Sequence, residues 1–158
     1  MFHIHIITLG KLKETYWQEA EKEYIKRLQP FLRLSIHELK EESFSDKDKP
    51  EIIKAREAEK IKKVLGSYPD AYVIALDEEG KNFDSIHFSS FLEQQKMNTS
   101  EFVFIIGGPL GLDRTLRQLA KATISFSKMT FTHQMMRIIL LEQLYRSQMI
   151  AAGRKYHY

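Results

Sequence analysis

The sequence predicts an α/β fold in which a mostly parallel sheet is covered by helices on both faces. Short runs of apolar and β-branched residues alternate along the chain with helical patterns. Two of these runs, Val73–Leu76 and Phe102–Ile106, are apolar at every position. Strands without a polar face belong to parallel sheets that are buried on both sides. Because 158 residues build one good core, we expect a single domain spanning 1–158.

The predicted elements follow from the spacing of apolar residues. The strands are Phe2–Thr8, Leu32–Leu39, Ala71–Leu76, Glu101–Ile106 and Thr123–Phe126. Apolar residues recur at every fourth position from Leu12 to Leu28, and at spacings of three and four from Ala58 to Leu65. Both patterns predict amphipathic helices that cover a sheet. Gly66 ends the second helix where a C′ glycine is expected.

The last predicted helix, His133 to Ala152, is apolar nearly all round. Leu140 and Leu144 lie on one side of it, and Leu141 and Tyr145 lie on another. A helix with two apolar faces buries one face on its own core and needs a partner for the other. We therefore expect a subunit interface along this helix.

The composition excludes several classes of protein. The chain has no cysteine, which excludes disulfides, thiolate nucleophiles and cysteine-ligated metal sites. The opening segment has neither a basic region nor a small-residue cleavage site, and no segment has the apolar length of a membrane helix. We expect a cytoplasmic protein.

Charge is distributed unevenly along the chain. Residues 1–112 carry 16 Lys and Arg against 19 Asp and Glu, whereas residues 113–158 carry 8 against 2. The last third therefore has a net charge of +6. An anionic partner such as RNA would fit this asymmetry, and a basic helix face beside an acidic neighbour would produce the same pattern.

The strongest motif is a buried strand that runs into Gly107-Gly108-Pro109-Leu110-Gly111 and then into a helix. Ligands bind beyond the carboxyl ends of parallel strands, where glycine lets backbone amides approach them closely. The loop lacks both the Walker A pattern and G-x-G-x-x-G, which disfavours the usual phosphate cradles. A tight turn that serves packing alone remains the alternative.

A second motif is Ser125–Arg137, where a strand turns into the last helix. No G-x-S-x-G elbow surrounds its serines, so serine nucleophilic catalysis is disfavoured. His133 and Arg137 are four residues apart on one helix face and can meet the same ligand. A helix N-terminus disfavours imidazolium, so His133 is a candidate general base and Arg137 a candidate for stabilising developing negative charge.

Two further groups are less distinctive. The tail Gly153–Tyr158 contains cations and aromatic rings that suit unpaired RNA, although chain ends also fray. His3 and His5 share one face of the first strand, but no third ligand is evident in the sequence. We therefore assign no metal site.

The chain resembles the RlmH family of SPOUT-class 23S rRNA pseudouridine-N3 methyltransferases along its whole length. The segments that carry the resemblance are Gly10–Lys13, Ala75–Lys81, Ile106–Leu112, Ser125–Arg137, Glu142–Arg146 and Tyr156–His157. The resemblance implies a trefoil knot in the C-terminal third, an S-adenosylmethionine pocket at the knot, and a homodimer. It also implies a substrate, which is a pseudouridine in the intersubunit stem-loop of 23S rRNA on assembled 70S ribosomes.

Carried over by position, the resemblance implies sets of site residues. The cofactor would be bound by Leu76, Gly107, Gly108, Phe126, Ser127, Lys128, Met129, Thr130 and Phe131. The RNA would be bound by Arg154, Tyr156 and His157. One departure is Thr132, where the family usually has Pro; Thr can cap the helix instead. Two rival functions are a non-catalytic RNA-binding or ribosome-assembly factor and a nucleotide-dependent enzyme of small molecules.

Overall fold

The protein forms one five-stranded sheet in which all pairs of neighbouring strands are parallel, with the strand order β2-β1-β4-β3-β5. The computed structural model describes all 158 residues. Its elements are β1 (His3–Leu9), α1 (Thr15–Leu28), β2 (Arg33–Leu39), α2 (Pro50–Leu65), β3 (Tyr72–Asn82), α3 (Ser85–Lys96), β4 (Glu101–Ile106), α4 (Arg114–Leu119), β5 (Ala122–Ser125) and α5 (His133–Ala151). The predicted α/β class and all five predicted strands are confirmed.

Helices cover both faces of the sheet, as predicted. Successive strand residues point to opposite faces, so Phe102 and Phe104 of β4 pack with α1, α3 and α5, whereas Val103 and Ile105 pack with α2 and α4. All four side chains are fully buried. This central strand is therefore apolar from Phe102 to Ile106, because its two faces belong to two cores.

Strand β3 is longer than its apolar run. The prediction ended this strand at Leu76, but β3 continues to Asn82. After a register shift, Lys81 and Asn82 pair with Ile124 and Ser125 of β5. The polar residues after Leu76 form a strand because β5 supplies their hydrogen-bonding partners. The spacing of apolar residues carries no information about such pairing, so it could not predict the extension.

Helix ends confirm one capping prediction and correct another. The Thr132 hydroxyl accepts a hydrogen bond from the Met135 amide at 3.3 Å and caps α5, as proposed for the position where the family usually has Pro. Gly66, however, is right-handed, with φ −58° and ψ −22°. It is therefore not the left-handed C′ glycine that the sequence indicated, since its amide continues the helical hydrogen bonding to Lys62.

Helix α5 packs between α1 and α3 on the sheet. Leu140, Leu141 and Leu144 are all fully buried in the core of this chain. On the α1 side, the Tyr145 ring contacts Phe31 at a centroid distance of 6.4 Å. Leu141 is therefore buried within its own chain, whereas Tyr145 is only half-buried, and the subunit interface along α5 stays a prediction. None of the helices has the length and apolarity needed to cross a membrane.

Gly80 permits the close crossing of β3 and β5. A Cβ atom at this position would lie 2.7 Å from the carbonyl carbons of Thr123 and Ile124, which are backbone atoms of β5. We expect Gly80→Ala to lower the free energy of unfolding by about 1–3 kcal/mol, the usual cost of overpacking, as measured by urea denaturation. The matched control is Gly66→Ala, which is expected to be neutral or stabilising because Gly66 is right-handed. Equal stability of wild type and Gly80→Ala would contradict this account.

Candidate functional site

A cavity of about 770 Å³ lies at the carboxyl edge of the sheet, where β3, β4 and β5 end beside the start of α5. This is the edge at which parallel α/β sheets bind ligands, and the volume falls within the range of small-molecule sites. Its wall contains Leu76–Glu79, Ile106–Leu112, Ile124–Ser127, Met129–Gln134, Met136, Lys54 and Arg117. Two of the motifs singled out in the sequence thus meet in one place.

Eight of the nine residues expected at the cofactor line this cavity. They are Leu76, Gly107, Gly108, Phe126, Ser127, Met129, Thr130 and Phe131. Lys128 is exposed and does not line it. The Ser127 hydroxyl accepts a hydrogen bond from the Met129 amide at 2.9 Å. This local turn separates Lys128 from its neighbours in the wall.

The glycine loop is tightly folded on itself. A Cβ atom at Gly107 would lie 3.0 Å from the carbonyl carbon of Gly111 and 3.1 Å from the Leu112 side chain. Gly111 has φ +85° and donates its amide to the Gly108 carbonyl at 3.0 Å. Close packing within the loop therefore explains why residue 107 is a glycine. The loop as a whole still forms one wall of the cavity.

Glu57 is a buried acid behind this loop that the sequence analysis missed. It is 2% exposed, and its Oε2 atom has no hydrogen-bond partner. A Cβ atom at Gly108 would lie 3.2 Å from Oε2, so the carboxyl group abuts the loop. Burial raises the pKa of Glu57. The sequence did contain a signal for its burial. Ile53, Glu57, Ile61 and Leu65 follow one another at intervals of four residues, so Glu57 lies on the apolar face of the helix.

His133 is the first residue of α5 and lines the cavity. Its Nε2 atom is buried without a partner, and a Cβ atom at Gly10 would lie 3.2 Å from it. Gly10 has φ +89°, so both its backbone conformation and its proximity to the ring favour glycine. Burial lowers the pKa of His133, which keeps the imidazole neutral near pH 7. A neutral imidazole beside a ligand cavity can accept a proton.

Arg137 does not line the cavity. Its guanidinium group is 4% exposed and is paired with Glu21 of α1 and, at 2.7 Å, with Glu38 of β2. His133 and Arg137 do lie one turn apart, as predicted, but Arg137 is committed to carboxylates of its own chain. The geometry therefore favours a positioning role for Arg137, which fixes the first turns of α5 against α1 and β2.

The acidic side of the cavity wall is Asp77, Glu78 and Glu79. The Glu79 carboxylate is paired with Arg117 at 2.9 Å, and Glu78 accepts a hydrogen bond from the Thr130 hydroxyl at 2.7 Å. The second bond ties the β3 extension to the loop before α5. A wall with three carboxylates is a poor cradle for polyphosphates and a favourable one for a cation.

The three predicted RNA-binding residues pack against α5 and the segment that follows α1. Tyr156 donates its hydroxyl to Glu142 at 3.3 Å, and burial together with Tyr24 raises its pKa to about 12. His157 contacts Arg146 at 3.2 Å, and the Arg154 guanidinium lies 5.6 Å from the centre of the Phe31 ring. The tail therefore folds back along the second half of α5, and none of its three residues lines the cavity.

We expect Glu57→Gln to increase the free energy of unfolding at pH 8, because the amide has the same shape but never ionises. The folded-state pKa is raised, so ionisation destabilises the fold above that pKa. This penalty shrinks as the pH falls and vanishes below the ordinary glutamate pKa of 4.5. Urea denaturation at pH 5 and pH 8 measures it.

The control for this prediction is Glu59→Gln on the same helix, where the side chain is 76% exposed. This variant should show no pH-dependent gain. A gain for Glu57→Gln that is the same at both pH values would refute the buried-ionisation explanation.

The comparisons with known proteins agree with this geometry. Residues 2–157 match the family described as "Predicted SPOUT methyltransferase". Two curated relatives named "Ribosomal RNA large subunit methyltransferase H" come from Carboxydothermus hydrogenoformans, 42% identical over 98% of both chains, and from Clostridium acetobutylicum, 43% identical over 98% of this chain and 99% of the relative.

Solved structures share the fold at low sequence identity. A tRNA (m1G37) methyltransferase from Aquifex aeolicus has a TM-score of 0.55 at 10% identity, over 90% of this chain and 69% of that chain. A probable methylase family protein from Haemophilus influenzae has a TM-score of 0.55 at 13% identity, over 98% and 70%. From the match over residues 2–157 and the full-length relatives, the chain belongs to the SPOUT methyltransferase family, among the proteins named ribosomal RNA large subunit methyltransferase H.

Proposed function

We propose that the protein is an S-adenosylmethionine-dependent methyltransferase that methylates N3 of a pseudouridine in the intersubunit stem-loop of 23S rRNA on assembled ribosomes. The observation that carries this proposal is the cavity at the carboxyl edge of the sheet, whose wall contains eight of the nine residues expected at the cofactor. Relatives at 42% and 43% identity over nearly the full length support rRNA as the substrate. A ribosomal substrate also implies a cytoplasmic enzyme.

The cavity fits the proposed cofactor in volume and charge. About 770 Å³ accommodates a nucleoside with an amino acid side arm, and the wall combines apolar residues with Asp77, Glu78 and Glu79. Carboxylates favour a ligand that carries a sulfonium and an ammonium group. Phe126, Met129 and Phe131 offer apolar surface for a purine. When bound, the cofactor supplies a methyl group activated by positively charged sulfur.

His133 is the residue that we propose as the proton acceptor. The target nitrogen is an imide N–H, whose proton has to leave when the new N–C bond forms. His133 lines the cavity and stays neutral because burial lowers its pKa. Neutral imidazole accepts the proton and becomes imidazolium. Arg137 holds the turn that carries His133 through its ion pairs with Glu21 and Glu38.

The homodimer is part of the proposal, and the family resemblance supports it. Arg154, Tyr156 and His157 do not line the cavity of their own chain, because Tyr156 and His157 pack against Glu142 and Arg146 of α5. In a symmetric dimer, a tail can complete the cavity of the other protomer. A trefoil knot in the C-terminal third stays a prediction from the family resemblance.

The principal alternative is an RNA-binding or ribosome-assembly factor without catalysis. Such a protein would use the basic last third of the chain but would not need the cavity. It predicts RNA binding with no affinity for S-adenosylmethionine. The cavity, with His133 in its wall and the pKa of that imidazole lowered by burial, favours the enzyme.

We expect the protein to bind one S-adenosylmethionine per chain in calorimetry and to methylate 70S ribosomes that lack the modification. His133→Ala should bind the cofactor normally and slow single-turnover transfer by about a hundredfold or more. The rate should partly recover at high pH, where the substrate imide ionises without help. Labelled cofactor offered to 70S ribosomes and to separated subunits measures the rate and identifies the substrate state.

The control for this prediction is His87→Ala, which removes an imidazole that is 75% exposed on α3. It should transfer methyl at the wild-type rate. If His133→Ala also transfers at the wild-type rate across the pH range, His133 is structural. If wild type binds no cofactor, the non-catalytic alternative is correct.

Tail residues should act on the partner's cavity, which a mixed dimer tests. We expect His133→Ala and Arg154→Ala to be impaired as separate homodimers. If the two chains mix at random, half of the dimers contain one chain of each variant. Each mixed dimer has one cavity in which both residues are intact, so activity should recover to roughly a quarter of the wild-type level. Differently tagged, co-expressed chains provide the sample. No recovery in purified mixed dimers would place the tail in its own chain's site, and a monomer in light scattering would exclude the dimer.

A further inference from the structure

A cluster of histidines lies on the sheet away from the functional cavity. Five residues contact one another here, and we call them the histidine cluster. They are His3 and His5 of β1, His37 of β2, Glu101 of β4, and Tyr68, which lies between α2 and β3. The parallel register places His3 directly opposite Glu101. None of the five residues lines the cavity. The cluster is therefore outside the site assigned to methyl transfer.

Three members of the cluster present ligand atoms to a common point. One atom each from His3, His5 and Glu101 lies within 4.8 Å of the other two. The His5 Nε2 atom is 2.9 Å from Glu101 Oε1, and the His3 and His5 rings are 3.9 Å apart. Zinc with bonds of about 2.0–2.2 Å needs its ligand atoms within about 3.5 Å. His3 and Glu101 are only partly buried, so their side chains have room to move, and the His3 Nε2 atom now contacts the Ser35 hydroxyl at 2.8 Å, a contact that zinc binding through this atom would replace.

The central ligand, His5, has a supporting partner behind it. His5 is 2% exposed, and its Nδ1 atom is 3.4 Å from Nε2 of His37, which in turn is 3.1 Å from the Tyr68 hydroxyl. When His5 Nε2 binds a metal, its proton resides on Nδ1 and is donated to His37. Such a bond fixes the tautomer and orientation of a metal-binding histidine.

The donor types of the cluster also suit a transition-metal ion. Glu101 brings a negative charge. Two imidazoles and one carboxylate suit zinc, whereas calcium and magnesium prefer oxygen ligands throughout.

We propose that His3, His5 and Glu101 bind one Zn²⁺ ion, with solvent in the fourth position. The ion links β1 to β4 at the edge of the sheet opposite the cavity. Its role is structural, because it joins two strands that are about 100 residues apart in the chain. The proposal does not depend on the proposed methyl transfer.

Calorimetric titration of the chelator-treated, full-length protein with zinc chloride tests the site. We expect one ion per chain, and a thermal unfolding midpoint that rises with zinc concentration. Cobalt(II) should give the visible absorption of tetrahedral coordination. Glu101→Gln preserves shape and removes the ligand charge, and His3→Ala removes one imidazole; each should weaken zinc binding at least tenfold.

His87→Ala is the matched control, since it removes an exposed histidine that is paired with Asp84 outside the cluster. It should bind zinc like wild type. Methyl transfer should be unchanged in His3→Ala and Glu101→Gln, so a failure of the zinc site is distinguishable from a failure of the proposed enzyme. Absence of stoichiometric binding, or wild-type affinity in either folded cluster variant, would overturn the proposal.

Discussion

Parallel pairing of β3, β4 and β5 is the constraint on which the rest of the structure depends. Parallel strands need crossover connections, so their carboxyl ends gather at one edge of the sheet and helices cover its two faces. Covering both faces requires a central strand that is apolar on both of its sides, as β4 is from Phe102 to Ile106. Gathering the carboxyl ends brings Leu76, Gly107 and Phe126 to a single cavity.

Helix α5 connects the parts of the molecule that we assign to function. Its first residue, His133, lies in the cavity wall, its middle is buried in the core, and its last turn leads into the tail. Its position is fixed by apolar packing and by the ion pairs of Arg137. Removing one partner of a buried ion pair is strongly destabilising, so the pairs of Arg137 with Glu21 and Glu38 fix the position of the first turns of α5, which carry His133.

Polar groups that are buried without partners are concentrated near the cavity. Thr8, Glu57 and His133 each have a side-chain atom in this state. Such groups cost stability whatever their role, and ionisable groups perturbed in this way are found most often at functional sites. Glu57 and His133 have pKa values shifted toward their neutral forms by burial. The histidine cluster differs, because its members contact one another and lie at the opposite edge of the sheet.

The sequence by itself determined the α/β class, the five strands, the glycine loop and the Thr132 cap. Each of these is a local property, since hydrophobic spacing reports burial and a capping residue acts within one turn. The family resemblance supplied nine residues for the cofactor site, and eight of them line the cavity.

Only the tertiary structure decided which distant residues meet. It extended β3 to Asn82 by pairing it with β5, gave Arg137 two carboxylate partners, and buried Leu140, Leu141 and Leu144 of α5 in one core. It also brought Glu101 to His5 across 96 positions, which supplies the third ligand of the proposed zinc site. Strand order determines these contacts, and strand order is set by the packing of the whole sheet rather than by any local pattern.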